Sequence, residues 1–363
     1  MFDWVPLAYY TSVFYNVLFF IVVFTCLKII KEGYVINNKS NVTLNTLGLM
    51  LMVILYMGLR PLSGRYFGDM FTYNRIFEYY ASGGEIISVK DYVWQLFMQF
   101  CSGIMTTKMF FLLCATLYVA PIYKACDTWF KGNKYVVFLM FIASFSFWTY
   151  GTNGIRSGVA TSLFVWALSL NKNKIFKYGL FVLSFSFHSS IIIPLSAFIL
   201  TSFYKNPKTY YRGWLICIPV SLVLGSAAET FIATLGIFGD DRVEYLIQGN
   251  INNDSFAYTG FRWDFLIYSA FAVYAGYYFI IRRNFKDVFY IQLFNLYVTV
   301  NAFWILVIRA NFSNRFAYLS WFLMAVVIFY PFYKQRFFKN QQRILIYTML
   351  GYFGFSYFMF LIN

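Results

Sequence analysis

The sequence predicts an all-α polytopic integral membrane protein, and three observations carry that expectation. Of its 363 residues, 60% are hydrophobic and only 12% are charged, against about 25% charged in a soluble globular domain. The apolar residues come in runs of roughly 15–25, and ~20 helical residues cross a hydrocarbon core of about 30 Å. Basic residues alternate between the loops that separate these runs. Together these features exclude a water-soluble enzyme, and a mean hydropathy of +0.61 leaves room for one transmembrane domain over 1–363 and no large extramembrane one.

In chain order, the runs place helices at 7–27, 43–59, 108–123, 135–150, 155–171, 174–187, 189–204, 213–236, 264–281, 288–308, 316–333 and 344–362, about twelve spans. The first lacks the basic flank and A-x-A-like exit of a cleaved signal and reads as a spanning helix. The stretch 92–106 is apolar but short and interrupted by Gln95, Gln99 and Gly103. It fits an interfacial or re-entrant segment within an outer loop over 60–107. A second polar outer loop covers 237–263.

Orientation follows from the positive-inside bias. The loops 28–41, 124–134, 172–177, 205–212, 282–286 and 334–343 hold 19 of the 29 Lys and Arg, and three acidic residues (Glu32, Asp127 and the adjoining Asp287) fall on that side; the opposite side holds ten basic and eleven acidic residues. One face is therefore +16 and the other −1. The basic face is expected to be cytoplasmic, with both termini outside. The +15 net charge is thus a topology signal, and its thin spread over six short loops argues against nucleic-acid binding.

On the basic face 14 of 19 cations are lysine, whereas on the outer face eight of ten are arginine (Arg60, Arg65, Arg75, Arg156, Arg242, Arg262, Arg309 and Arg315). Topology needs charge and does not choose between the two. A planar guanidinium, however, matches phosphate or carboxylate oxygens in a way an ammonium does not. The outer face is expected to hold an anion. Snorkelling or pairing with nearby carboxylates is the plainer reading, and it is preferred for Arg75 and Arg242.

Four outer stretches concentrate the polar chemistry. The first runs from Arg60 through Arg65, Gly68 and Asp69 to Tyr73 in a Gly/Pro-containing turn. The second, Asn153-Gly-Ile-Arg156-Ser-Gly158-Val-Ala160, puts an arginine in the first turn of a helix, where exposed N–H groups already favour an anion. The third, Phe187-His188-Ser-Ser190, lies at an outer turn between two short runs and carries the only histidine. An ionisable group sunk in a membrane is costly and tends to line a cavity. Last comes Arg309-Ala-Asn-Phe-Ser-Asn314-Arg315-Phe-Ala-Tyr318, whose two arginines bracket a tight turn suited to a diphosphate. Gly260-Phe-Arg262-Trp-Asp264 adds a further basic group. One histidine excludes a multi-histidine metal centre, and five scattered cysteines without a CxxC pair read as core residues. No metal and no cofactor are expected.

Taken in order, these stretches resemble the EpsG-type Wzy polysaccharide polymerases. The resemblance covers most of the chain; Ser157 stands where the family's usual helix start carries a glutamine. It implies a GT-C-like glycosyltransferase of the bacterial inner membrane, active at the periplasmic face. Such an enzyme passes a growing glycan from undecaprenyl diphosphate to the non-reducing end of the next lipid-linked repeat. Lipid-linked oligosaccharides, membrane lipids and a chain-length regulator are the partners it implies. On this reading Arg156, Arg309 and Arg315 hold diphosphates, with Arg60, Arg65 and Arg262 as second choices. His188 is the leading base for the acceptor hydroxyl and Asp69 the alternative. Tyr73, Asn153 and Tyr318 position substrate. A lipid-linked oligosaccharide flippase, or a transferase resembling O-antigen ligase, is the competing function.

Overall fold

The computed structural model describes residues 2, 4–32, 39–225, 227, 260–310 and 313–362. Among these the chain is helical throughout, with no strand. Every predicted apolar run holds a helix among the described residues; the run at 213–236 is described as helix to Leu224, and most of 226–236 lies outside the described residues. Six stretches are long and apolar enough to cross a membrane: Leu7–Glu32, Thr107–Ile142, Trp263–Arg282, Val288–Leu306, Asn314–Lys334 and Gln341–Ile362. Other runs form shorter helices, such as Ile155–Ser169 with 15 residues, which rises only about 23 Å. Most of the 237–263 loop and Arg242 lie outside the described residues.

The chain forms two compact units, residues 1–189 with 336–363, and residues 190–335. The first contains α1 (Leu7–Glu32), α2 (Lys39–Gly58), α3 (Gly64–Phe67), α4 (Met70–Ala81) and α5 (Tyr92–Ser102). It continues with α6 (Thr107–Phe130), α7 (Lys134–Ile142), α8 (Phe147–Thr152), α9 (Ile155–Ser169) and α10 (Lys174–Phe187). The second contains α11 (Ile192–Phe203), α12 (Pro207–Leu224), α13 (Trp263–Tyr277), α14 (Val288–Leu306), α15 (Asn314–Trp321) and α16 (Met324–Lys334). The last helix, α17 (Gln341–Ile362), returns to the first unit and packs on α1, where Tyr15 stacks on Phe360 at 4.7 Å.

Helices in a membrane associate through close packing and polar ties, because lipid offers no hydrophobic drive between them. The first unit is held in that way. Tyr10 and Tyr56 donate to each other's backbone carbonyls at 2.7 and 2.8 Å, joining α1 to α2. Ser162 donates to the Tyr118 carbonyl, and Ser184 donates to the Ala160 carbonyl at 2.6 Å, so α9 is clamped between α6 and α10. Gly158 is needed there: a Cβ would lie 2.6 Å from the Tyr150 carbonyl oxygen. In the second unit α14 is central. Trp214 donates to Asn301, Asn301 to Ser320, and Trp321 to Ser269, at 2.7, 3.0 and 2.6 Å.

Thr107–Ile142 covers 36 residues but is not one rod. Lys131 has a φ of +44°, and the rings of Tyr123 and Phe138 meet at 5.9 Å, whereas a continuous helix would separate them by about 22 Å. The chain reverses at Lys131, as the predicted cytoplasmic loop at 124–134 requires. The run predicted at 135–150 is broken into α7 and α8. The segment 92–106 contains an 11-residue helix, too short at about 16 Å to cross a bilayer by itself.

Candidate active site

Arg156 sits in the first turn of α9 and His188 at the end of α10; the tie between these helices brings the two side chains to one region. The third member comes from a different part of the chain. Asp91 precedes α5, which is anchored by Trp94, a fully buried ring packed at 5.5 Å against Phe187, the neighbour of His188. Aromatic packing thus carries Asp91 across 97 residues to His188.

The Asp91 carboxylate forms an ion pair with Arg156 Nη1 at 3.0 Å and faces His188 Nδ1 at 3.4 Å, both through Oδ2. Its Oδ1 accepts the Ser189 backbone N–H at 2.8 Å. The side chain is 1% exposed, that of His188 4% and that of Arg156 21%. The guanidinium is therefore the open edge of the group. Burial pushes the Asp91 carboxyl up, but His188, Arg156 and the Ser189 N–H outweigh it and hold the carboxyl well below the usual carboxylate range. Arg156 Nε is buried and has no hydrogen-bond partner among the described residues.

The backbone of Asp91 is unusual in the same direction. Its φ and ψ of 51° and 46° are left-handed, and it stands at the N-cap of α5 without capping it. Aspartate is a preferred N-cap because its carboxylate satisfies an orphan helix N–H. Here that return is given up for contacts with two distant helices.

Four predicted residues cluster around this group. Asn153 Oδ1 accepts the Asp69 backbone N–H at 2.9 Å, so the loop from Arg60 to Tyr73 docks on the glycine-rich start of α9. Gly68 makes the turn possible: its φ is +53°, and a Cβ would stand 2.3 Å from Asn153 Oδ1. Tyr73 takes a backbone hydrogen bond from Arg156, and burial pushes its phenol up. Asp69 is an exposed residue; its backbone N–H docks on Asn153 and its carboxylate charge acts on Tyr73.

Arg60 is placed differently from an anion ligand. It is 4% exposed, donates to the carbonyls of Met57 and Thr152, and lies over Phe67 and Phe111 at 5.5 and 5.4 Å. It closes the C-terminal end of α2, where a cation is favoured. Burial lowers its pKa to about 10, so it stays charged at neutral pH. Arg65 is exposed and lies over the Tyr66 ring at 5.7 Å. No ion pair joins Arg75 to a carboxylate among the described residues; Glu78 accepts instead from Asn74 at 2.9 Å.

The second unit holds Arg262, Arg309, Arg315 and Tyr318. Arg262 grips Asp264 with Nε and Nη2 at 2.9 and 2.6 Å and covers the Phe265 ring at 3.7 Å. Arg309 lies over Phe261 at 5.8 Å, with a buried Nε that has no partner among the described residues. Arg315 is exposed in the first turn of α15. The buried Tyr318 accepts a long hydrogen bond from Asn314, at 3.4 Å.

Sequence reasoning passed over Asp91. An aspartate before an amphipathic helix has the signature of a cap, and nothing local marks one that reaches 97 residues away. The available signal was its place between Lys90 and an aromatic segment on the arginine-rich face.

A helical membrane chain with a carboxylate, a histidine and an arginine gathered in one buried group is the class these features define. The family model described as the EpsG family matches residues 49–363, and the chain belongs to the EpsG family. That range contains the whole Asp91–Arg156–His188 group. No curated protein and no solved structure matches the chain.

Proposed function

We propose that the chain is a polysaccharide polymerase that moves a growing glycan from undecaprenyl diphosphate to the non-reducing end of a lipid-linked repeat. Membership of the EpsG family supports a polymerase-type function. The finer reading adds twelve crossings, a GT-C-like arrangement, an inner-membrane location and a site open to the periplasm, with the lysine-rich loops in the cytoplasm.

The observation that carries it is Arg156. One edge of its guanidinium is tied to Asp91, and its Nε is a buried donor without a partner among the described residues. An unsatisfied buried donor costs about 1–3 kcal/mol, a cost that a phosphate oxygen would remove. Beside it, His188 is a group whose ordinary pKa suits proton transfer near neutral pH.

A lipid diphosphate is already a competent leaving group. The protein's task is to align two substrates and stabilise the charge that grows on the bridging oxygen. Arg156 is assigned to that oxygen's phosphate and His188 to the acceptor hydroxyl. Arg309 and Arg315 are assigned to diphosphate binding in the second unit, Asn153, Tyr73 and Tyr318 to positioning. No metal is assigned a role, and a chain-length regulator remains the partner the family suggests.

Polymer length on gels tests this in cells lacking the gene and complemented at matched protein level. Wild type is expected to restore long chains, while Arg156→Ala and His188→Ala leave exported single repeats. Full-length ladders from both variants would overturn the assignment, and loss of all exported repeats in the deletion strain would favour a flippase.

A further inference from the structure

We infer that Asp91 is a positioning residue of the transfer reaction, holding His188 with its proton on Nδ1 and Arg156 with its outer edge toward the leaving group; this rests on the function proposed above. The geometry supports both halves. Asp91 Oδ2 is shared between His188 Nδ1 at 3.4 Å and Arg156 Nη1 at 3.0 Å, while Oδ1 is fixed by the Ser189 N–H at 2.8 Å. A carboxylate is only an acceptor, so the nitrogen facing it carries hydrogen. In the neutral ring the lone pair is then on Nε2.

The same carboxylate fixes the arginine. The ion pair at Nη1 holds one end of the guanidinium, and Nε has no hydrogen-bond partner among the described residues. A fork with one edge held by protein presents its other donors to a single anion without first ordering a flexible side chain. Asp91 thereby fixes the spacing between the proton acceptor and the anion-binding donors, which belong to separate helices.

In the step so arranged, the acceptor hydroxyl proton passes to His188 Nε2 as its oxygen bonds the anomeric carbon. The bond from that carbon to the bridging phosphate oxygen breaks, and its electron pair leaves on the diphosphate facing Arg156. The imidazolium then returns its proton to water. Asp91 stays ionised throughout and lies opposite the imidazolium while it exists, without itself touching substrate.

The backbone argues against a purely architectural role. A left-handed aspartate that does not cap its helix bears backbone strain and forgoes the capping contribution its side chain could make. Such local costs collect where a side chain must be aimed. The ionisable groups gathered with the imidazole among the described residues include Asp91 before α5, Arg156 of α9 acting through that carboxylate, and Tyr73 of α4 against Arg156, with Asp69 acting on Tyr73.

The test uses detergent-solubilised full-length protein and lipid-linked single repeats extracted from cells lacking the gene. Asp91→Asn is expected to lower kcat about 100-fold or more, because an amide can present its N–H to the ring and select the other tautomer. The acid limb of its pH–rate profile is expected to move to lower pH, since the charge opposite the imidazolium is gone. Asp91→Glu, which keeps that charge, is expected to recover part of kcat and the wild-type acid limb. Asp91→Asn is expected to cost less in the His188→Ala background than in wild type, the loss that remains being the share that acts through Arg156.

Wild-type kcat and pH profile in Asp91→Asn would overturn the inference, as would losses that multiply fully in the double variant. If Asp91→Asn elutes as aggregate, Asp91→Glu decides: a shifted acid limb in that charge-preserving variant contradicts the inference. Wild-type rates for both His188→Ala and Arg156→Ala would instead remove the proposed function beneath it.

Discussion

Asp91 joins an arginine from one helix and a histidine from another, and a side chain only 1% exposed makes that junction electrostatically strong. Isolated charges are expensive in such surroundings, while paired and hydrogen-bonded ones are tolerated. Its ionisation has a testable sign. Because the folded pKa is held below the ordinary carboxylate value of about 3.9, the ionised contacts contribute stability fully above about pH 4. That contribution is lost as pH falls through the lowered folded value. Thermal unfolding of the solubilised protein should therefore lose less between pH 5 and acid in Asp91→Asn than in wild type, to the extent of about 1–3 kcal/mol. Equal acid losses in the two proteins would contradict the assignment of the shift. Arg60 shows the reverse lesson at this scale: a cation directly after a helix end reads equally as anion ligand or as cap, and here it caps.

At the scale of the element, the short helix α5 has the largest consequence for the site. Its polar residues are not lipid-facing accidents. Gln95 accepts from Tyr80 at 2.9 Å, and Gln99 donates to the Gly84 carbonyl at 3.1 Å, so α5 is fastened to α4 and the connection between them. Trp94, fully buried among Tyr73, Phe97, Phe110 and Phe187, sets where Asp91 ends. Trp94→Ala is expected to cost about 3–5 kcal/mol and to lower transfer far more than Trp94→Phe, read by unfolding temperature and by polymer length. A Trp94→Ala protein as stable and active as wild type would show that Asp91 is held by other means. The predicted helix boundaries near 7, 155, 174, 288 and 344 agree closely with the structure, because long apolar runs with a polar break admit few alternatives. The breaks inside 135–150 and 316–333 were not legible, since both halves of each run are apolar and only tertiary packing divides them.

For the whole molecule, an all-helical membrane chain was readable from composition and the spacing of apolar runs alone. The meeting of the Gly68–Asp69 turn with Asn153, and of the α9 start with Tyr73 and His188, could be anticipated only as a shared face. Their contacts span sequence separations that no local pattern encodes, 84 residues in the case of Asp69 and Asn153. Membership of the EpsG family gives the chain a polymerase-type context, and an anionic ligand for its arginines is part of the function proposed above. The most direct test reconstitutes purified protein in liposomes containing the extracted lipid-linked repeats and follows both products. Joining of repeats with release of one undecaprenyl diphosphate per bond formed, abolished by Arg156→Ala, is the result expected; translocation of repeats across the bilayer without any joining would contradict it.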